Sequence, residues 1–286
     1  MKIGFLGTGL MGQPMVVRLL EANHQVTVYN RTKSKLQPLI EASAQAVDSP
    51  AEVIESADCV ILMLSDAAAI EQTLLSDNAI SHLANCSIIQ MGTIAPTESQ
   101  SIRDAVVDAG GEYLEAPVLG SIPQVKTEEL LVMVGSTQAQ FDRYRELLKC
   151  YSPEPMYVGE VGTAAAMKLA LNQLIAGLTS SFALSLSFVQ QQGVNVEQFM
   201  DVVRQSALYA PTFDKKLDRM CDRNFENPNF PTKHLLKDTN LFLTQAAELG
   251  LNTQSLAGIK QIIEQAIAIG LAEKDYSAIY SAIDRD

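Results

Sequence analysis

Cysteine and histidine are scarce in this chain, and basic side chains are outnumbered. The four cysteines among 286 residues, Cys59, Cys86, Cys150 and Cys221, are far apart with no C-x-x-C pair, and His24, His82 and His234 have no partner at helical ligand spacing. That pattern excludes a disulfide framework, argues against a zinc site or any other metal, and fits a reducing, cytoplasmic compartment. With 21 Lys and Arg against 33 Asp and Glu the formal charge is −12, and no basic cluster offsets it locally. Nucleic acid is therefore not an expected partner. Charge is missing altogether between Lys168 and Glu197. Polar residues from Asn172 to Ser187 interrupt this stretch, so a core helix is expected there and not a membrane span. The apolar run at the start is too short for a signal peptide. What is present, 47% hydrophobic and 19% charged residues, belongs to a chain that folds into one large domain or two ordinary ones.

Apolar runs alternate with helical patterns in the first half. Lys2 to Leu6 reads as a strand, Leu10 to Glu21 as an amphipathic helix, and Gln25 to Tyr29 as a second strand, which makes a β-α-β unit. Ser49-Pro50 opens another helix, Cys59 to Leu64 a buried strand, Asp66 a helix, Ser87 to Gln90 a strand, and Pro96 the next helix. The order predicts a parallel, doubly wound α/β sheet with both faces covered, and Tyr113-Leu114, Leu130 to Val134 and Met156 to Val158 extend it. Beyond Gly162 a long helical pattern runs from Thr163 to about Gln191, and shorter helices follow. The expected division is a Rossmann domain over residues 1–160 and an all-α domain over 161–286, joined by the long helix.

Gly7-Thr8-Gly9-Leu10-Met11-Gly12 falls between the first strand and the first helix. In that context G-x-G-x-x-G is a dinucleotide turn: one glycine for the bend, one for approach of the pyrophosphate, one for close helix packing, with the helix N-terminus facing the anion. The second strand ends in Asn30-Arg31-Thr32, without the carboxylate that would accept from a ribose 2′-hydroxyl. A guanidinium and a hydroxyl pair with a 2′-phosphate instead, so NADP(H) is favoured over NAD.

Lys168 and Asn172 are four residues apart and share one face of the long helix. Two readings are open from the residues alone. Lys168 is a proton donor or carbonyl polariser in a cleft, or it is a lysine whose stem packs at a helix end while its ammonium stays in water.

Four segments together resemble the β-hydroxyacid dehydrogenases, the family of 3-hydroxyisobutyrate dehydrogenase. They are Gly7 to Gly12, Glu115-Ala116-Pro117-Val118-Leu119-Gly120-Ser121, Lys168 with Asn172, and Lys237-Asp238. Asn30-Arg31-Thr32, Met63-Leu64-Ser65-Asp66 and Phe230-Pro231-Thr232-Lys233-His234 are most similar to its glyoxylate/succinic semialdehyde reductases. The resemblance implies NADPH-dependent reduction of a small aldehyde acid, with Lys168 catalytic and with Gly120, Ser121, Asn172, Phe230 and Asp238 at the substrate. It further implies that Gly7, Thr8, Gly9, Leu10, Met11, Gly12, Asn30, Arg31, Thr32, Leu64, Ser65, Thr93 and Lys237 contact the cofactor. Leu119 and Gly92 depart from a pattern in which serine is usual at both positions, which bears on the substrate more than on the reaction. The alternatives are a 3-hydroxyisobutyrate or tartronate semialdehyde enzyme, an imine reductase, and a non-catalytic binding module on the same fold. An uncharged helix this long in a small helical domain also predicts a homodimer or homotetramer built through that domain.

Overall fold

A computed structural model describes residues 1–284. The chain divides into two compact units, one from Met1 to Lys168 and the other from Leu169 onward. The division falls inside the long helix and not at the glycines near residue 160, because the first turns of that helix are bonded into the sheet unit.

The first unit is built on nine strands: β1 (Lys2–Leu6), β2 (Gln25–Tyr29), β3 (Gln45–Ala46), β4 (Cys59–Leu62), β5 (Ser87–Gln90), β6 (Glu112–Glu115), β7 (Val118–Leu119), β8 (Leu131–Gly135) and β9 (Met156–Gly159). Their order is β3-β2-β1-β4-β5-β6-β8-β7, with β9 paired to β8. From β3 to β6 every neighbour is parallel. This is the doubly wound order in which the connection reverses between β1 and β4.

Alternation along the strands sends side chains to two cores. Ile3, Phe5, Cys59, Ile61 and Ile89 pack on one face with Met15, Val16 and Leu19 of the helix Gly12–Glu21. Leu6, Val60, Leu62 and Ile88 pack on the other with Ile70, Leu74 and Ile102 from the helices Ala67–Leu74 and Pro96–Asp108. Buried on both faces, these strands carry the continuous apolar runs seen in the sequence.

The expectation of a parallel sheet fails beyond β6. β8 runs antiparallel to β6 and β7. A parallel return needs a crossover of a dozen or more residues back to the far end of the sheet. The helix Ile122–Lys126 has five residues, so the chain re-enters at the edge it left. The strand expected over Cys59 to Leu64 ends at Leu62, because the Met63 and Leu64 carbonyls turn over glycines: a Cβ on Gly7 would lie 2.5 Å from the Met63 oxygen, and one on Gly92 2.6 Å from the Leu64 oxygen. The same contact leaves no room for a side chain at position 92.

The second unit is helical. Thr163–Gln191, Val196–Gln205, Pro211–Cys221, Thr232–Glu248 and Gln254–Ala268 are its main helices, and one isolated bridge joins Pro231 to Asp275 among the described residues. Thr163–Gln191 is long and apolar enough to cross a bilayer. Here it serves as a core helix: Phe182, Ala183 and Leu186 pack with Met200, Phe213 and Met220, and Asn172, Thr179, Ser180 and Ser187 are buried as well. Its burial is one-sided, since Leu184 and Phe188 are 62% and 64% exposed.

The three motif glycines make different demands. Gly7 has φ +101°, and a Cβ on Gly12 would sit 2.0 Å from the Gly7 oxygen, whereas a Cβ on Gly9 would meet nothing within 4 Å. Gly12→Ala is therefore expected to lower stability by about 1–3 kcal/mol, and Gly9→Ala to change it by less than about 0.5 kcal/mol, in urea unfolding.

Candidate active site

The glycine turn stands at the C-terminal end of β1, beside the point where the sheet order reverses. The Gly7 N–H donates to the Tyr29 carbonyl (3.2 Å), and the Thr8 N–H to Asn30 Oδ1 (3.1 Å). Asn30 Nδ2 donates in turn to the Thr32 carbonyl (3.0 Å). Asn30 thus braces the turn against the end of β2, a role its place in the motif does not reveal.

The helix that follows has no acidic side chain in its first turn to occupy its free amides. Thr8 is fully buried and its Oγ1 has no partner. Gly9 is glycine although the protein leaves its Cβ position open. These observations fit a dinucleotide: the amides, the orphaned hydroxyl and the uncovered Cβ position are what a pyrophosphate would use. Arg31 and Thr32 are exposed just beyond β2, Leu64 and Ser65 follow β4, and Thr93 follows β5, all at the C-terminal edge of the sheet. Ser65 donates to Asp66 Oδ2 (2.9 Å), and Asp66 caps the next helix through the Ala69 N–H (2.8 Å).

From the same edge, β6 ends in Glu115, which is 1% exposed. Its Oε1 accepts from the N–H groups of Gly162 (2.8 Å), Ala164 (2.9 Å) and Ala165 (3.0 Å), the free amides at the start of the helix Thr163–Gln191. Its other oxygen accepts from Ser99 Oγ, which lies 2.9 Å from the Tyr113 hydroxyl. Burial pushes the Glu115 carboxyl above its ordinary range, opposed by the Ser99 hydroxyl and the three backbone donors. Lys168 is buried in the second turn of this helix. Further along the segment, Gly120 has φ +136° and leads into Ser121, whose hydroxyl and N–H both donate to Gln124 Oε1 (2.9 and 3.0 Å). Ser121 caps a short helix.

In the second unit Asn172 Nδ2 donates to Asp238 Oδ2 (2.6 Å), and both residues are 3% exposed. Lys237 Nζ is 2.9 Å from Asp238 Oδ1. Asn172 Oδ1 is buried and has no partner. The structure thus brings Asn172, Asp238 and Lys237 into one cluster across two helices. Phe230 stacks on His234 at 6.4 Å between ring centroids and meets the edge of Tyr276 at 5.7 Å. Its carbonyl accepts from the Tyr276 N–H (3.0 Å), next to Asp275, whose carboxylate takes two hydrogen bonds from Lys216 (2.7 and 2.9 Å). The Lys216–Asp275 pair escaped sequence reasoning, since no spacing links Lys216 to a carboxylate so distant in the chain, and so did the stacking of His234 on Phe230 within the Phe230–His234 segment.

Comparison with known proteins divides the chain near residue 160, at the glycines before the long helix. The family model for the NAD binding domain of 6-phosphogluconate dehydrogenase matches residues 2–159, and that for the NAD-binding region of NADP-dependent 3-hydroxyisobutyrate dehydrogenase matches residues 162–283. Two proteins of Arabidopsis thaliana are similar over 99% of the chain. Glyoxylate/succinic semialdehyde reductase 2, chloroplastic, is 32% identical across 79% of its length, and glyoxylate/succinic semialdehyde reductase 1 is 30% identical across 98%. The chain belongs to the 3-hydroxyisobutyrate dehydrogenase family.

As a member of that family of β-hydroxyacid dehydrogenases, it is an NAD(P)-dependent oxidoreductase acting on CH–OH groups. The solved 3-hydroxyisobutyrate dehydrogenase of Mycobacterium tuberculosis shares its fold, with a TM-score of 0.89 at 22% identity over 100% of this chain and 99% of that one.

His234 offers a handle on the second unit. Burial, reinforced by Lys237 and Lys233, holds its imidazole below the ordinary value of 6.5. The folded chain takes up this proton less readily than the unfolded one, so the contribution to stability is full above pH 6.5 and shrinks as pH falls and the unfolded chain is protonated first. His234→Gln is expected to lose less stability than the wild type between about pH 7 and about pH 5, read from urea midpoints.

Proposed function

We propose that this dehydrogenase reduces a small aldehyde acid, glyoxylate or succinic semialdehyde, to the hydroxy acid at the expense of NADPH. The observation that carries the reading is Lys168: a buried lysine one helical turn before Asn172, whose amide oxygen is buried without a partner. The similarity to the two glyoxylate/succinic semialdehyde reductases supports the choice of substrate.

A bound NADPH supplies the hydride that reaches the carbonyl carbon. Lys168 polarises the carbonyl oxygen and gives the developing alkoxide its proton, which is restored from solvent. The attraction of an ammonium for that oxygen grows as negative charge develops, so it lowers the barrier more than it tightens substrate binding. Asn172 orients Lys168 or the substrate through Oδ1, and Asp238 fixes the amide by accepting from Nδ2. Gly120 and Ser121 bind the substrate carboxylate, Ser121 giving up its bond to Gln124 to do so, and Phe230 lines the pocket. Leu119, where serine is usual, removes a hydroxyl beside that carboxylate.

Gly7, Thr8, Gly9, Leu10, Met11 and Gly12 cradle the pyrophosphate, Arg31 and Thr32 take the 2′-phosphate beside Asn30, and Leu64, Ser65, Thr93 and Lys237 complete the cofactor site. The family models, which meet near residue 160, support residues 1–160 as the NADP-binding domain and 161–286 as serving substrate binding and assembly. Exposed Leu184, Phe188, Val202 and Leu208, each more than 60% accessible, support pairing of helical units in a homodimer or homotetramer. Four free thiols support a cytoplasmic location.

Steady-state assays of glyoxylate, succinic semialdehyde and methylmalonate semialdehyde with both cofactors test the reading. One of the first two with NADPH gives the highest kcat/KM, and Arg31→Ala costs about tenfold with NADPH but little with NADH. Preference for methylmalonate semialdehyde moves the substrate to the 3-hydroxyisobutyrate type, and turnover of cyclic imines alone overturns the reading. Lys168→Ala leaves NADPH affinity within about twofold and removes all but a few per cent of turnover; more than about a tenth remaining contradicts the proton-donor role. Light scattering at micromolar concentration gives a dimer or tetramer, and a monomer contradicts the assembly.

A further inference from the structure

We propose that Glu115 is a positioning residue for the reaction: its buried carboxylate holds the first turn of the helix Thr163–Gln191, and through it Lys168, in the working position. The inference rests on Lys168 being the proton donor.

Both carboxylate oxygens are committed to the protein. Oε1 accepts from the Gly162, Ala164 and Ala165 amides, and Oε2 from Ser99. Glu115 therefore has no oxygen to offer a substrate, and its part is mechanical and electrostatic. A helix of 29 residues does not need one cap in order to form, so what the carboxylate settles is where the first turns lie. Lys168 begins less than two turns from the helix start. The positive end of a helix disfavours an ammonium that close to it, and a carboxylate at the free amides offsets that field.

The surroundings are shaped around this side chain. A Cβ on Gly135, in the neighbouring strand β8, would lie 2.4 Å from Glu115 Oε1, so that glycine is the room the carboxylate occupies. Gly162 has φ +106°, a left-handed turn that points its N–H at the same oxygen. Ser99, from the helix Pro96–Asp108, donates to the other oxygen, and the Tyr113 hydroxyl, on β6 itself, is bonded to Ser99. The strand, a neighbouring helix and two glycines thus fix one carboxylate, and the carboxylate fixes one helix end.

Substitutions separate reach from charge. Glu115→Gln keeps the acceptor oxygen at full length, and its Nε2 donates to Ser99 Oγ while the Ser99 hydroxyl turns to Tyr113. Glu115→Asp keeps the charge but is one methylene short. Glu115→Ala leaves the three amides without a partner.

The test is kcat and KM for the wild type and these variants, each with Lys168 and with Lys168→Ala, together with amide hydrogen exchange over residues 160–170. Glu115→Ala and Glu115→Asp lower kcat by about tenfold or more with the NADPH KM within about twofold, and Glu115→Gln restores kcat to within about threefold. In the Lys168→Ala background the same changes cost nothing further. Exchange rises at the helix start in the Ala and Asp variants and not elsewhere. Wild-type kcat in a folded Ala or Asp variant, an undiminished loss without Lys168, or unchanged exchange overturns the proposal. Should the Ala variant not fold, the Asp variant is read alone by the same criteria. If the wild type reduces no aldehyde acid, or Lys168→Ala stays active, the proposed function fails instead. Exchange then decides the anchor: raised sustains it, unchanged overturns it.

Discussion

Three backbone amides at the start of a 29-residue helix converge on one oxygen of Glu115, a side chain almost wholly out of water. Burying a carboxylate costs several kcal/mol unless hydrogen bonds replace its hydration. Here they do: four protein donors surround it, and the helix end adds a favourable field. The bonds tie the last strand of the β3-to-β6 parallel run to the first turn of the long helix, and on the proposal above the side chain of Lys168 takes its place from that anchor. The glycine turn after β1, the loops after β4 and β5, and Glu115 all stand at the C-terminal ends of parallel strands, where open α/β sheets bind their ligands.

Much of this was legible in the sequence where the information is local. Strands β1, β2 and β5 fall where the apolar runs place them, and the long helix spans Thr163 to Gln191 as its uncharged pattern predicts. The dinucleotide turn is readable because its three glycines fall within six residues between a strand and a helix. What escaped depends on partners far apart in the chain. Nothing in Glu115-Ala116-Pro117 tells that the carboxylate reaches amides some fifty residues on. The direction of β8 depends on how far a short helix can carry the chain, and the bracing role of Asn30 depends on a turn 22 residues earlier in the chain. The uncharged stretch also carries a second meaning that composition alone could not separate from burial: Leu184 and Phe188 remain exposed on a helix whose opposite side is core.

Net charge turns out to be a poor guide to this protein's ligands. A chain with formal charge −12 repels polyanions as a whole, yet the glycine turn precedes a helix whose first turn is free of acid. Arg31 sits at the end of β2, Lys168 near a helix start countered by Glu115, and Lys237 beside Asp238. Placement of single cations and amides, and not the overall balance, suits the protein to small anions.

The central claim, hydride delivery to the carbonyl carbon of an aldehyde acid with a proton from Lys168, is most directly tested by isotope transfer. NADPH deuterated at the nicotinamide C4, incubated with the enzyme and glyoxylate or succinic semialdehyde, is expected to leave one deuterium on the carbinol carbon of the hydroxy acid and to show a slowed turnover. Product without deuterium at that carbon, or no product from either aldehyde acid, would contradict the account.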